Sequence, residues 1–213
     1  MEEAFDCIIV GGGIAGLSAA MVLARNDAEF LLIERGEFSG SKNVSGGVLW
    51  GQDLARLVPE YWNDDSAAFE RFITHRRLTL MDDESAFSLD YKSDAYAEPP
   101  YMGVSVLRSR FDRWLADQVE SAIADSAHPY GSFLATNVRV DEVLQNDSGR
   151  ATGIRAGDET FHADSVLIAE GVNNLLTRQV GLHDDYVPAD HMMVGVKEVI
   201  GFEESTLEDR FQL

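Results

Sequence analysis

The sequence predicts an α/β fold with a parallel sheet, and three features near its start carry this prediction. An apolar stretch at residues 6–10 precedes the glycine-rich turn at residues 11–16. A helical stretch rich in alanine and leucine follows at residues 17–26, and a second apolar stretch at residues 30–33 ends in Glu34. Strand, glycine turn, helix and strand in this order are typical of a βαβ unit.

The glycine turn carries a recognisable ligand signature. Gly11, Gly13 and Gly16 follow the G-x-G-x-x-G spacing, in which the first glycine allows a tight turn, the second lets a pyrophosphate approach the backbone and the third allows close helix packing. The first helical turn offers N–H groups and its positive dipole end to a phosphate. Glu34 ends the second strand, where a carboxylate accepts both hydroxyls of an adenosine ribose. The sequence therefore predicts a dinucleotide site, and the alternative is a fortuitous glycine turn.

The composition excludes several classes of function. The 213 residues carry 37 acidic and 17 basic side chains, a formal net charge of −20, which argues against binding nucleic acid or an anionic membrane surface through basic patches. Lysine occurs only at positions 42, 92 and 197. Acid enrichment with scarce lysine indicates a halophilic protein adapted to high salt, and an ordinary acidic protein is the alternative.

No catalytic or metal-binding constellation stands out. Cys7 is the only cysteine, so an internal disulfide and a cysteine-ligated iron–sulfur or zinc site are not expected. The five histidines are scattered without ligand spacing, and we predict no metal site and no catalytic side chain. The sequence begins without a signal-peptide pattern and has no uncharged run long enough for a bilayer, so we expect a cytoplasmic protein.

The middle of the chain interrupts the α/β alternation. A Gly-, Ser- and Asn-rich loop at residues 39–47 precedes a short helix at 52–58. Because it closely follows Glu34, we expect this loop to run beside the bound dinucleotide, and a flexible surface loop is the alternative. Alternating patterns predict strands at 77–81 and 86–91, joined by an acidic turn, and the stretch at 103–107 is a third strand of the same small sheet. We expect this sheet to belong to an inserted second domain. An amphipathic helix then runs from Arg110 and ends before His128-Pro129.

The rest of the chain predicts a β-meander and a final parallel strand. Short strands at 133–136, 139–144, 152–155 and 160–162 are separated by turn residues, and an apolar strand at 165–169 is typical of the middle of a parallel sheet. Glu170-Gly171 ends it, and Asn173 or Asn174 caps a predicted helix at 175–180. Strand character resumes at 193–200.

The sequence resembles known flavoproteins over the whole chain. It resembles the FAD-binding Rossmann-like fold of the glutathione-reductase-like flavoproteins in its glycine turn, its crossing helix, Glu34, the Arg-x-x-Phe-Asp helix start at residues 108–112, the meander, and the apolar strand that ends in Glu170-Gly171. More narrowly, the sequence resembles the electron transfer flavoprotein–quinone oxidoreductase family in its Fix-type branch. The stretches that carry the resemblance are residues 5–13, 40–47, 106–115, 194–198 and 208–213.

The resemblance implies FAD as cofactor and assigns residues to it. Arg108 is expected to reach the phosphates or ribityl oxygens, the alternative being an exposed helix-start residue. The backbone of Val140 is expected to meet the adenine, and Glu170-Gly171 stands where many relatives have Asp-Gly. The remaining implied contacts are the pyrophosphate at Gly11, Gly13, Ala15 and Gly16, the adenosine ribose at Glu34 with Arg35 beside it, and the ribityl chain and flavin ring at Ser45, Gly46 and Gly47.

The resemblance also implies a domain division. The FAD-binding domain comprises residues 1–73 and 104–190, and part of a second antiparallel β domain on the substrate and quinone side comprises residues 74–103 and 191–213. Members of the family are much longer than this chain, so we expect an N-terminal portion that is incomplete and inactive alone.

The implied function is electron transfer. A FAD-dependent oxidoreductase of this family passes electrons from an electron transfer flavoprotein toward quinone, with a small ferredoxin-like iron–sulfur partner. Peripheral contact with the inner face of the membrane is expected only through the absent C-terminal half. Two alternatives stay open: a geranylgeranyl-reductase-like flavoenzyme acting on isoprenoid lipids, and a non-catalytic, incomplete FAD-binding fragment.

Overall fold

The computed structural model describes residues 4–184 and 187–211. The strands in chain order are β1 (Phe5–Val10), β2 (Phe30–Ile33), β3 (Gly46–Trp50), β4 (Phe69–Ile73), β5 (His75–Met81), β6 (Ala86–Lys92), β7 (Gly103–Leu107), β8 (Phe133–Ala135), β9 (Glu142–Gln145), β10 (Ala151–Ala156) and β11 (Glu159–Ile168). The α-helices are α1 (Ile14–Arg25), α2 (Gly51–Leu57), α3 (Arg108–Ala124), α4 (Leu175–Gln179) and α5 (Glu204–Phe211). None of the described helices is both long and apolar enough to cross a bilayer.

A six-stranded sheet organises the described chain in the order β8-β2-β1-β11-β10-β9. The first four strands are parallel, as the βαβ pattern predicts; β10 is antiparallel to β11, and β9 is antiparallel to β10. All four side chains of β2 are buried, which is typical of a strand with both faces covered. Alternate residues of the central strands therefore enter two separate cores.

One core lies between the sheet and helices α1 and α3. Ile9 and Leu32 point into it from the sheet, together with buried residues of both helices. The opposite core contains Ile8 and Leu31 and is closed by residues of β9, β10 and α4. The predicted apolar face of α3 is confirmed, because Phe111, Trp114, Leu115, Val119 and Ile123 are all buried.

A separate antiparallel sheet has the order β3-β7-β4 and corrects two expectations. β7 is not the third strand of the β5–β6 sheet but pairs with β3 and β4 instead. The side chains of Val104 and Val106 are buried against α2 and α3, a covering that the exposed β5–β6 hairpin does not provide. Gly46 and Gly47, expected in the loop at 39–47, begin β3. The predicted division into domains stays a prediction.

The predicted hairpin is present as β5 and β6. Leu78 pairs with Leu89 and Leu80 with Phe87, and the acidic turn is held by Asp82 Oδ1, which accepts hydrogen bonds from the N–H groups of Glu84 and Ser85. The predicted strands at 160–162 and 165–169 differ from the structure, which has one continuous strand, β11. Its first half pairs with β10 and its second half with β1, so the partner strands on its two sides keep it extended through Asp164 and Ser165.

The predicted strand at 193–200 is wrong. These residues have no regular secondary structure, and the side chains of Met193, Val194 and Val196 are exposed by 94% or more. Among the described residues none offers this segment a strand to pair with. Helix α5 follows instead, with Glu204 in its first turn at the positive end of the helix dipole. The stretch at 208–213 is one of the five that carry the family resemblance, and its residues 212 and 213 lie outside the described residues.

Candidate functional site

A cleft of about 380 Å³ lies where β1, β2 and β11 end. Its volume falls in the range of small-molecule sites, and ligands of open α/β sheets bind at the carboxyl ends of the strands. The glycine turn, the segment after β2 and the residues after β11 form its walls. The lining residues are Val10, Gly11, Gly13, Ile33, Glu34, Arg35, Gly40, Lys42, Asn43, Arg108, Val138, Arg139, Val140, Ala169, Glu170, Gly171, Val172, Asn173, Leu175 and Leu176.

The three glycines of the turn meet different surroundings. Gly11 has a φ of +111°, and an added Cβ would lie 2.4 Å from the Ala169 carbonyl oxygen. A Cβ on Gly16 would lie 1.9 Å from the Gly11 carbonyl oxygen, so α1 packs directly on the end of β1. Gly13 differs, because the nearest atom to its added Cβ is Arg108 Nη2 at 3.8 Å. The backbone of Gly13 is therefore open toward the cleft.

Helix α1 begins beside this open backbone. Gly13 is its N-cap residue and provides no side chain, and no described side chain caps the first turn by a hydrogen bond. The unpaired N–H groups of a helix start and the positive dipole end attract an anion. The first turn of α1 is thus available to a phosphate in the cleft.

Arg108 lines the cleft close to Gly13, since its Nη2 is the atom nearest to a Cβ added there. It is the first residue of α3, and its guanidinium makes a two-point ion pair with Asp112, from Nε to Oδ1 at 2.8 Å and from Nη2 to Oδ2 at 2.9 Å. The Arg108 side chain is 28% exposed, whereas the Asp112 side chain is fully buried. Because two of the five guanidinium N–H groups meet Asp112, three are left for a ligand.

Glu34 lies at the end of β2, on the wall of the cleft. Its Oε2 accepts a hydrogen bond from Gly12 N at 2.8 Å and its Oε1 accepts one from Gly36 N at 2.6 Å. Each carboxylate oxygen has further acceptor capacity, so the side chain still suits hydroxyl donors. Val138 N donates a hydrogen bond to the Glu34 carbonyl oxygen at 3.0 Å. This bond holds the segment that contains Val140 beside Glu34.

The cleft brings together seven of the twelve residues that the sequence predicts for the cofactor. Ala15 and Gly16 are in α1 and do not line it, and Ser45, Gly46 and Gly47 lie outside it, before and within β3. The Ser45 carbonyl oxygen accepts a hydrogen bond from Arg108 N at 3.0 Å, so this segment is joined to the cleft wall. The predicted residues that line the cleft are Gly11, Gly13, Glu34, Arg35, Arg108, Val140 and Gly171.

Several residues in the cleft or behind it had no individual role assigned from the sequence. Lys42 and Asn43 line the cleft, which agrees with the expectation that the loop at 39–47 runs beside the dinucleotide, although neither was assigned a contact. Asp112 was missed too, although the Arg-x-x-Phe-Asp pattern places it one helical turn after Arg108 and on the same side of α3. Arg139 lines the cleft from the segment before β9 and had no sequence signal.

Glu170 corrects the expected cap of α4. Asn174 occupies the N-cap position with a left-handed φ of 51°, and its side chain makes no cap hydrogen bond. Glu170 does so instead: Oε2 accepts from Leu175 N at 2.9 Å and Leu176 N at 3.0 Å, and Oε1 accepts from Thr177 N at 2.8 Å and Thr177 Oγ1 at 2.8 Å. The side chain lines the cleft, but its carboxylate is engaged with the helix.

We expect this cap to make stability depend on pH. Burial opposes ionisation of Glu170, but the hydrogen bonds from Thr177, Leu176 and Leu175 outweigh burial, so the pKa of Glu170 lies below its usual value of 4.5. The unfolded chain therefore takes up this proton first as the pH falls below about 4.5, and the contribution to stability, complete at neutral pH, is lost toward acid. Replacing Glu170 with glutamine lowers the free energy of unfolding at neutral pH by about 1–2 kcal/mol.

Urea unfolding at neutral and acid pH tests this expectation. In Glu170→Gln, the free energy of unfolding should differ less between neutral and acid pH than it does in the parent chain, because glutamine has no proton to bind at this position. Glu159→Gln, a change of the same kind at an exposed position in β11, is the control and should leave both values unchanged. Equal stability of Glu170→Gln and the parent chain at neutral pH would contradict the capping role.

Comparison with known proteins identifies the family and the fold. The chain matches the family model DAO, described as FAD dependent oxidoreductase, over residues 6–118, which is more than half of its length. Among solved structures it resembles a geranylgeranyl bacteriochlorophyll reductase-like protein from Thermoplasma acidophilum, with a TM-score of 0.63 and 21% identity over 85% of this chain and 43% of that chain. At that identity the likeness shows the fold alone.

Curated relatives show higher similarity. Protein FixC of Salmonella typhi is 45% identical over 100% of this chain and 47% of its own length. A probable electron transfer flavoprotein-quinone oxidoreductase, YdiS of Escherichia coli (strain K12), is 38% identical over 100% of this chain and 47% of its own length. The chain therefore spans about half the length of the curated relatives it matches.

These matches confirm the predicted α/β FAD-binding fold and the predicted cofactor, FAD. They also agree with the glycine turn, the open backbone at Gly13 and the Arg108 guanidinium close to it in the cleft. The chain belongs to the DAO family of FAD-dependent oxidoreductases.

Proposed function

We propose that this chain forms the FAD-binding part of an oxidoreductase that takes electrons from an electron transfer flavoprotein and passes them toward quinone. The relative YdiS is a probable electron transfer flavoprotein-quinone oxidoreductase, which supports this electron path, and FixC relatives match the whole of this chain. A small ferredoxin-like iron–sulfur protein as partner, and contact with the inner face of a membrane, are further parts of the proposal.

The observation that carries the proposal is the open backbone of Gly13, with the Arg108 guanidinium close beside it in the cleft. A dinucleotide diphosphate needs a backbone surface without a Cβ, helix N–H groups and a cation, and the described cleft offers all three. A Cβ added at Gly13 would occupy part of this surface. No atom outside its chain neighbours lies closer to that Cβ than Arg108 Nη2, at 3.8 Å. The residues present therefore fit the diphosphate of FAD.

The charge of the cleft wall supports an anionic ligand. The whole chain has a formal net charge of −20, yet four of its basic side chains line this one cleft, namely Arg35, Lys42, Arg108 and Arg139. The two carboxylates on the wall, Glu34 and Glu170, both accept hydrogen bonds from backbone N–H groups. Concentrating cations in a cleft of an acidic protein focuses the field on a negatively charged ligand.

Residues of this chain would bind and orient the cofactor. The first turn of α1 and Arg108 would hold the diphosphate, Glu34 would accept hydrogen bonds from the adenosine ribose, and the backbone at Val140 would face the adenine. Bound FAD supplies the electron-accepting ring, so no protein acid, base or nucleophile is required. Ser45, Gly46 and Gly47 are proposed for the ribityl chain and flavin ring.

Binding is tested on the purified chain. We expect millimolar FAD to raise its unfolding temperature, and the flavin absorbance band to differ in shape from that of free FAD. Electron transfer is tested in a fusion of this chain to the remaining half of the FixC relative, because the chain alone is expected to be inactive. After reduction with dithionite and removal of the excess, a water-soluble quinone analogue should reoxidise the flavin of the fusion faster than it reoxidises free reduced FAD. FAD binding without faster reoxidation by the quinone would contradict the proposal that quinone accepts the electrons, but it would leave FAD as the cofactor.

Two other outcomes favour the alternatives. Saturation of a prenyl double bond without quinone reduction would support a geranylgeranyl-reductase-like activity. A chain that gains no thermal stability from millimolar FAD would support a non-catalytic fragment that is incomplete without further protein.

A further inference from the structure

A buried carboxylate connects the start of α3 to the loop before β3. The Asp112 side chain is fully buried and accepts three hydrogen bonds from two different elements. Two come from the Arg108 guanidinium, and the third comes from Asn43 Nδ2 to Oδ2 at 2.6 Å. Asn43 and Arg108 both line the cleft, whereas Asp112 does not.

The loop at 40–45 is joined to α3 at two further points. Gly40 has a φ of +92°, and an added Cβ would lie 2.9 Å from Asp112 Cβ and 3.0 Å from the Arg108 carbonyl oxygen. Ser45 O accepts a hydrogen bond from Arg108 N at 3.0 Å. The loop and the first turn of α3 therefore form one unit, with the carboxylate at its centre.

From this geometry we infer that Asp112 is a positioning residue, which orients the Arg108 guanidinium toward the ligand diphosphate and fixes the loop at 40–45 as the adjoining wall. The inference rests on the proposed FAD site. Arginine has several rotatable bonds, and a two-point contact through Nε and Nη2 fixes the plane of its guanidinium. The three remaining N–H groups then have a fixed direction in the cleft.

Burial explains why an aspartate suits this position. A buried carboxylate is stable only when charged and polar donors surround it, and Arg108 and Asn43 provide them. Asparagine at 112 has the same size but presents its own N–H₂ group to one of these donors. Arg108 then loses its two-point contact while its charge remains.

A double-mutant cycle with ADP as the probe tests the link to Arg108. We expect Asp112→Asn to weaken ADP binding about tenfold and adenosine binding very little, because adenosine has no phosphate. In the Arg108→Met background, Asp112→Asn should cause no further loss. Additive losses from the two changes, or equal losses for ADP and adenosine, would overturn the positioning role.

Tryptic cleavage after Lys42 tests the link to the loop without any ligand. Asp112→Asn and Asn43→Ala should each raise the cleavage rate at Lys42 about tenfold, since local opening exposes the loop. Cleavage after Lys92, at the end of β6, is the internal control and should not change. An unchanged rate at Lys42 in both variants would overturn the inference.

Controls separate this inference from folding and from the proposed function. Asp117→Asn, an exposed change of the same kind on α3, should alter neither readout. If Asp112→Asn does not fold, Asn43→Ala alone decides the loop test and Arg108→Met with ADP decides the contact with phosphate. A parent chain that binds neither ADP nor FAD would refute the proposed function and this inference together, whereas equal binding by the parent and Asp112→Asn would refute the inference alone.

Discussion

Replacing Gly13 with alanine is expected to weaken dinucleotide binding strongly while leaving the fold intact. Gly13 has φ and ψ of −84° and −176°, which alanine adopts without strain, and its added Cβ has no neighbour closer than Arg108 Nη2 at 3.8 Å. The methyl group instead occupies the space of the diphosphate. Such overpacking costs about 1–3 kcal/mol, so we expect ADP to bind roughly 5- to 150-fold more weakly.

Thermal unfolding and ADP titration of the same preparation measure both halves of this expectation. The unfolding temperature of Gly13→Ala should stay within a few degrees of the parent value. Gly195→Ala is the matched control, because an added Cβ there also meets no atom within 4 Å and the residue lies far along the chain from the cleft. Undiminished ADP binding by Gly13→Ala would refute the claim that the diphosphate lies against the backbone of Gly13.

Replacing Gly16 with alanine should have the opposite effect and destabilise the fold itself. The added Cβ would lie 1.9 Å from the Gly11 carbonyl oxygen and 3.2 Å from Ile9 Cγ2, so α1 must move away from β1. Alanine favours the helix over glycine by about 1 kcal/mol, but this gain does not offset a backbone clash. We expect a net loss of about 2 kcal/mol in the free energy of unfolding.

Urea denaturation gives this value directly, with the m-value as a check that the unfolded state is the same. Gly195→Ala again serves as the control. A Gly16→Ala variant as stable as the parent would show that α1 does not pack closely on β1. The two glycines of one motif thus have separable roles, one in the ligand site and one in the core.

Local patterns in the sequence predicted the parts of the fold that depend on local physics. The glycine turn requires backbone freedom at Gly11, and the apolar periodicity of α3 requires a buried face, so each element follows from a few neighbouring residues. The cleft follows from the same motif, because the carboxyl ends of β1 and β2 meet there. Four predicted residues line it for this reason, namely Gly11, Gly13, Glu34 and Arg35, whereas the other three come from elsewhere in the chain and were assigned from the family resemblance.

Pairing between distant segments was not predictable in the same way. The partner of β7 depends on which sheet covers Val104 and Val106, and its alternating pattern is compatible with either sheet. The segment at 193–200 has a strand pattern, but a strand exists only where another strand accepts its hydrogen bonds. A residue pattern alone does not state whether that neighbour is present.

Side-chain length and burial decided the remaining differences. Glu170 stands where many relatives have the shorter aspartate. Its carboxylate accepts hydrogen bonds from N–H groups of α4 and so caps this helix in place of Asn174. Asp112 acts through contacts with Arg108 and Asn43, and the Asn43 contact joins residues 69 positions apart in the sequence. The Asn43 contact and the cap by Glu170 have no spacing rule, whereas the i,i+4 spacing of Arg108 and Asp112 on α3 does follow one.

Amide NMR of the isotope-labelled chain during titration with ADP tests most directly whether the glycine turn holds the diphosphate. We predict that the largest shifts occur at the N–H groups of Gly13, Ile14 and Ala15, with a second set at Gly12 and Gly36, whose amides donate to Glu34. Adenosine should reproduce the second set but not the first. No shift at the start of α1 at millimolar ADP, or shifts confined to residues outside the cleft, would contradict the assignment of this turn to the diphosphate.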